Sequence, residues 1–242
     1  MSEAALYMYW VGMDIPADTD AAGVAAFNQH YSKTHVPEVL ANNPGFVRGT
    51  RYEIFQDDPR GRRGPRFLAV YDIDSEAGVH TYIQRNDGPP SGRPTYTQGP
   101  PGRPQNETPW RLMWRRIAMA PAHATIGEAP YIFMIGMNIP ANANAAEVAE
   151  FNDFYTKIHM PEVMAASGFD NGVRYESVRE FRHPDPGGPR FLVIYDIKSD
   201  AAAQAHMESR TNPRPGGSAL SEGPLVWQRH DTLWRLTYRR IP

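Results

Sequence analysis

The chain contains no cysteine. That excludes disulfides, thiolate metal sites and a cysteine nucleophile. No apolar run approaches the roughly 20 residues that a bilayer span requires, so no membrane partner is expected. Net charge is almost lacking, at -2 over 242 residues. A polyanion-binding surface, and with it a nucleic-acid partner, is therefore not expected. The opening MSEAALYMYW has neither a basic n-region nor a small-residue cleavage site, and without an export signal the expected location is cytoplasmic. There is no phosphate loop, dinucleotide fingerprint, Gly-x-Ser-x-Gly elbow or His-Glu-x-x-His motif, so no nucleotide, nicotinamide or metal cofactor is expected.

What the chain does have is an internal repeat, the feature to seek before any other. FNQHYSKTHVPEV, from Phe27, returns as FNDFYTKIHMPEV, from Phe151. The same shift of 124 carries Gly12 to Gly136, Phe67 to Phe191 and Trp110 to Trp234. Arg51 matches Arg174 at a shift of 123, so one residue is lost in between. The repeat covers nearly the whole chain and occurs twice, which excludes a solenoid. It points to two halves, residues 1–117 and 130–242, paired about a pseudo-two-fold axis. The non-repeating segment 118–129 is the expected linker.

Within one half, YMYWVGM reads as a strand. Asp18, Thr19 or Asp20 can cap the helix that follows. Val24, Phe27, Tyr31 and His35 form its apolar stripe. Pro37 disfavours helical angles at Val36, so the helix is expected to break or kink near His35. FVRGTRYEIF and RFLAVYDI are strands, SEAGVHTYIQR a short helix and RLMWRRI the last strand. The order is βαββαβ, a ferredoxin-like plait. The expected fold class is α+β, with two such halves packed sheet to sheet as an intrachain barrel. A Gly/Pro-rich segment precedes the last strand of each half, and loops of that length are expected to rim or cover a site.

With Tyr31, His35 and Pro37 in one half and Tyr155, His159 and Pro161 in the other, the chain resembles the dimeric α/β-barrel superfamily. The Tyr-x-x-x-His-x-Pro phrase at the end of a first helix is closest to its EthD-like branch. Here the barrel is fused within one chain, which leaves open a homo-oligomer of the fused chain. The resemblance implies a small-molecule ligand cavity between sheet and helices, with the histidine near its mouth. It does not fix the reaction, since the superfamily includes lyases, isomerases, decarboxylases, cofactor-free oxygenases and haem enzymes.

The candidate catalytic residues are His35 and His159, with Tyr31 and Tyr155 one turn earlier. An imidazole titrates near neutral pH and can exchange a proton with a substrate. Each of these side chains can equally serve packing, the histidine at a helix end and the tyrosine in an aromatic core. The candidate substrate-binding residues are Asn28, Asn152, Arg51, Arg174, Trp110 and Trp234. A strand arginine facing inward needs an anion, whether a substrate or a structural acid such as Asp72 or Asp196. The functional expectation is an enzyme without a cofactor, of lyase, isomerase, cyclase or decarboxylase type. It would act on a hydrophobic or aromatic carbonyl compound. The alternatives are a cofactor-independent monooxygenase and a non-catalytic hydrophobic-ligand-binding protein. Differences between the halves, among them His30 against Phe154 and Trp10 against Met134, suggest that the two pockets are unequal.

Overall fold

Strand alternation sets the architecture. In β1 (Tyr7–Asp14), Met8 and Trp10 face one way while Tyr9 and Met13 face the other, and both faces are buried. A strand with two apolar faces must be covered on both. The computed structural model, which describes residues 4–100, 107–211 and 220–242, shows how. After β1 come α1 (Ala21–His30), α2 (Val36–Asn42), β2 (Phe46–Gln56), β3 (Phe67–Ile73), α3 (Glu76–Asp87) and β4 (Glu107–Ala120). The second half repeats the order with β5 (Tyr131–Asn138), α4 (Ala145–Phe154), α5 (Met160–Ser167), β6 (Gly172–Arg182), β7 (Phe191–Ile197), α6 (Asp200–Thr211) and β8 (Asp231–Ile241). A four-residue helix, α7 (Leu225–Gln228), precedes β8.

The eight antiparallel strands close into one barrel, ordered β1-β3-β2-β8-β5-β7-β6-β4. The two halves therefore join by hydrogen-bonded edges, β2 to β8 and β4 to β6, as well as through the interior. Closure removes the free strand edges that each half would otherwise expose. The interior is solid. Trp10 packs on Trp114, and Trp110 stacks on Trp234 at 5.1 Å between ring centroids. Ala124 and Ile126 join this core, so the segment between the halves packs against the barrel end. Two further cores lie outside the barrel, one under the helices of each half.

The first helix of each half does not break at its proline, contrary to the sequence expectation. Asp20 caps α1 by accepting from Gly23 N–H. The helix then widens into a π turn over Tyr31–His35 and continues as α2, and Tyr155–His159 does the same between α4 and α5. In an unbroken α-helix the N–H at position 37 would bond to the carbonyl four residues back, and proline has none to give. The π turn makes Val36 N–H reach Tyr31 O, and Met160 N–H reach Tyr155 O, both five residues back. Pro37 and Pro161 then fall in the opening turn of the next α segment, where a proline is tolerated.

A buried arginine holds each π turn to the sheet. Arg51 on β2 donates to Asn28 O (3.1 Å), Asn28 Oδ1 (2.9 Å) and Ser32 Oγ (3.2 Å). Arg174 on β6 repeats this with Asn152 O (3.1 Å), Asn152 Oδ1 (2.8 Å) and Thr156 Oγ1 (2.8 Å). Their guanidinium groups lie over Tyr31 and Tyr155, at 4.6 Å and 4.3 Å from the ring centroids. They are 3% and 1% exposed. Burial lowers both to about 10, so both stay charged at neutral pH. The expected partners Asp72 and Asp196 are not used, because strand alternation turns them into the barrel while Arg51 and Arg174 face the helices. Asp72 pairs instead with Arg48 at 2.6 Å. Among the described residues no arginine pairs with Asp196. It accepts from Gly127 N–H (3.2 Å) and from Asn171, and burial raises it to about 6.

Two stability predictions follow from these burials. Arg174→Met removes three hydrogen bonds to half-buried acceptors and should lower unfolding free energy by about 2–4 kcal/mol, measured by urea denaturation. An unchanged midpoint would refute the clamp. The second concerns acid. Burial lowers both His159 and His206 to about 4, whereas an unfolded histidine titrates near 6.5. Between those values the unfolded chain binds more protons, so stability must fall as pH drops from about 6.5 to 4, by on the order of 1–3 kcal/mol per histidine. Asp196, with its raised value, opposes the fall below pH 6 without cancelling two histidines. Urea midpoints at pH 7 and pH 4.5 should show the drop, and His206→Gln should shrink it.

Candidate functional site

The two helix layers are built alike and filled differently. In the first half, β1, β3 and β4 present Tyr9, Tyr71 and Arg111 to the helices, and the π turn answers with Tyr31 and His35 and α3 with Tyr82. Between them lies a cavity of about 310 Å³, completed by Tyr96 from the Gly/Pro-rich segment and by Arg182 from β6 of the other half. This is the lower end of the range for small-molecule sites. His35 is half-buried on its wall, edge-on to Tyr31 at 4.6 Å and to Tyr96 at 5.0 Å. The Glu38 carboxylate accepts from Thr97 N–H and Oγ1–H, which fastens the segment bearing Tyr96 to α2.

In the second half Glu162 holds Ser221 in the same way, but Trp227 occupies the space beneath. Its ring lies 4.3 Å from His159, 5.4 Å from Phe154 and 5.5 Å from Tyr155. His159 is consequently 8% exposed and its Nδ1 is buried without a partner among the described residues. His230 also stacks on Trp227, at 4.1 Å. Three of the lining tyrosines are replaced as well. The shift of 124 sets Phe133 against Tyr9, His206 against Tyr82 and Leu220 against Tyr96.

Of the residues singled out from sequence, Tyr31 and His35 line the open cavity. Tyr155 and His159 occupy the same places under Trp227. Asn28, Asn152, Arg51 and Arg174 form the two clamps described above. Trp110 and Trp234 stack inside the barrel, on the far face of the sheet from the helices, because they alternate with Arg111 and Arg235. The cavity's remaining polar residues, Tyr9, Tyr71, Tyr82, Tyr96, Thr108, Arg111 and Arg182, were not singled out. The signal was available for three of them, as tyrosines that the other half replaces.

Haem, one of the cofactors found in the resembling superfamily, does not fit the described residues. An axial imidazole needs an open face over a flat slot. His159 lies under Trp227, and His206 packs on Phe133 and Phe169. The His35 cavity is small and walled by tyrosines. Among the described residues no group of three or more His, Asp or Glu side chains could hold a metal ion, and none of their helices is long and apolar enough to cross a membrane.

No family model matches the sequence, and no curated protein matches it. Solved structures do match over nearly the full length. An anthrone oxidase-like protein superimposes with a TM-score of 0.56 at 11% identity, covering 100% of this chain and 94% of that one. A mutant chlorite dismutase from Candidatus Nitrospira defluvii superimposes with a TM-score of 0.51 at 9% identity, covering 100% and 93%. Both are named for redox reactions, which overturns the expectation of a lyase, isomerase, cyclase or decarboxylase without a redox cofactor. At such identities the likeness extends to the fold, and the chain has the α+β barrel architecture of these structures.

Proposed function

We propose that the chain is an oxidoreductase that acts on a small aromatic molecule in the cavity of its first half. One observation carries this reading: the His35 cavity is open and lined with phenols, while Trp227 fills its counterpart. The oxidase-like structural neighbour supports the reaction class. The cavity supports the substrate class, because aromatic walls favour a flat ring and about 310 Å³ holds one or two rings.

His35 and Tyr31 are the residues that meet the substrate. A neutral imidazole at the cavity wall can take the proton of a phenol or of its keto tautomer. Removing that proton raises the electron density of the ring and makes it easier to oxidise. Arg51 and Asn28 act at one remove, holding the π turn that carries Tyr31 and His35. In this reading Tyr155, His159, Arg174 and Asn152 keep the matching framework of a closed second half, and Trp110 and Trp234 fill the barrel. The chain itself is read as two tandem ferredoxin-like halves, 1–117 and 130–242, joined through 118–129 and closest to the EthD-like branch.

The test is turnover of simple phenols and anthrone-type compounds, followed by consumption of dioxygen or of hydrogen peroxide. His35→Ala should lower kcat/KM by at least about 100-fold. His159→Ala should leave kcat/KM unchanged per folded molecule. Equal losses from both changes would sink the one-site reading. Ligand binding that survives both changes, with no turnover under either oxidant, would point to a binding protein instead.

A further inference from the structure

The charge of the cavity points to a narrower ligand class. Its lining includes two arginines, Arg111 and Arg182, and no aspartate or glutamate. Arg111 has neutral company. Its Nε donates to Tyr9 Oη at 2.7 Å, and its Nη2 donates to Tyr82 Oη at 3.3 Å and to Asn86 Oδ1 at 2.8 Å. Burial pushes the Tyr9 phenol well above its ordinary range, so Tyr9 meets the guanidinium uncharged. Among the described residues no carboxylate lies within 4 Å of Arg111 or Arg182. Arg182, exposed at the cavity edge, donates to a backbone carbonyl, Thr108 O at 3.4 Å.

A guanidinium taken partly out of water without a counter-ion is costly. Arg48 meets that cost by pairing with Asp72, and Arg51 and Arg174 meet it with the carbonyl and side chain of an asparagine and a hydroxyl that lock them inside the fold, whereas Arg111 lines an open cavity. Arg111 is instead held in a fixed orientation by two phenols and an amide, with the face of Phe181 5.4 Å from its Cζ. Such a frame positions a planar donor fork without neutralising it, the arrangement that suits a bidentate oxyanion. The second half does not keep the frame. At the positions of Tyr9, Tyr82 and Asn86 stand Phe133, His206 and Arg210, so three of the groups around the arginine change together in the half whose cavity is closed.

We propose that Arg111, supported by Arg182, is the anion subsite of the first-half cavity, and that its ligand is an aromatic acid whose carboxylate docks on the guanidinium while its ring lies among the tyrosines. The assignment rests on the cavity being the functional site, as in the preceding section, and names the class of molecule it takes. Specificity follows from the unpaired cation: an acid supplies the missing charge, and an amide of the same shape does not.

The experiment is direct binding to the full chain, by calorimetry or tyrosine and tryptophan fluorescence, with benzoate, salicylate and 1-naphthoate set against the corresponding primary amides. The acids should bind at least about tenfold more tightly than the amides, with affinity falling as salt rises. Arg111→Met should remove that preference, Arg111→Lys should retain part of it, and Arg182→Met should reduce it. Equal binding of acid and amide by the unmodified protein overturns the proposal, whether or not any variant folds. So does an acid preference that survives Arg111→Met. Acid-selective, Arg111-dependent binding without turnover would leave this subsite standing and remove the oxidoreductase reading. His35-dependent oxidation of neutral phenols, with no acid preference, would do the reverse.

Discussion

A buried arginine on the second strand of each half fixes everything that lies on the helix side of the sheet. Arg51 and Arg174 are almost wholly enclosed, yet each keeps its charge and spends it on the carbonyl and side chain of an asparagine one turn before the π segment. A buried guanidinium with incomplete hydrogen bonding is expensive. The helix must therefore hold the Asn28 and Asn152 carbonyls, which also accept from Tyr31 and Tyr155 N–H, at one height above the sheet just before the π turn. The proline two residues past each histidine tolerates that turn because its missing N–H falls where no bond is needed. Side-chain chemistry on the strand, backbone register in the helix and the position of the histidine are thus one linked constraint.

The linkage explains why the Tyr-x-x-x-His-x-Pro phrase appears in both halves although, among the described residues, Trp227 covers the histidine of the second half and nothing equivalent covers His35. In the second half the clamp, the π turn and the carboxylate strap from Glu162 to Ser221 are all in place. What differs lies above and beside the histidine. The repeated phrase is accounted for by the framework, and the differences between halves carry the functional information.

Much of this was legible in the sequence. The repeat set out two matching halves, and the β-forming content of YMYWVGM and RFLAVYDI announced strands. The capping of α1 by Asp20 was readable as well. The helix break was misread because the rule about the residue before proline assumes an α-helical bond pattern, and a π turn changes the pattern without leaving the helix. The partner of Arg51 was misread because Asp72 is near in the sheet but on its other face, a matter of parity along the strand. The arginine-centred phenol cluster was within reach, since Tyr9 against Phe133 and Tyr82 against His206 lie in segments that align without gaps. Trp227 was not, because it falls where the two halves diverge most and where the matching position, Arg103, lies outside the described residues.

Joining both halves in one chain is what allows such divergence. In a symmetric dimer every position occurs twice, so a tryptophan that closes one cavity would close both. Here each helix layer is encoded separately while the barrel between them is shared. The shared part tolerates little change, since Trp10, Trp110, Trp114 and Trp234 interlock across the halves and the β2–β8 and β4–β6 edges depend on matched register. The outer layers can therefore specialise. A second half closed by an aromatic side chain gains packing and gives up solvent-filled space, which stabilises the shared barrel. The first half can then keep an unfilled cavity and an arginine without a counter-ion, two features that weaken a fold and that a ligand of opposite charge would relieve.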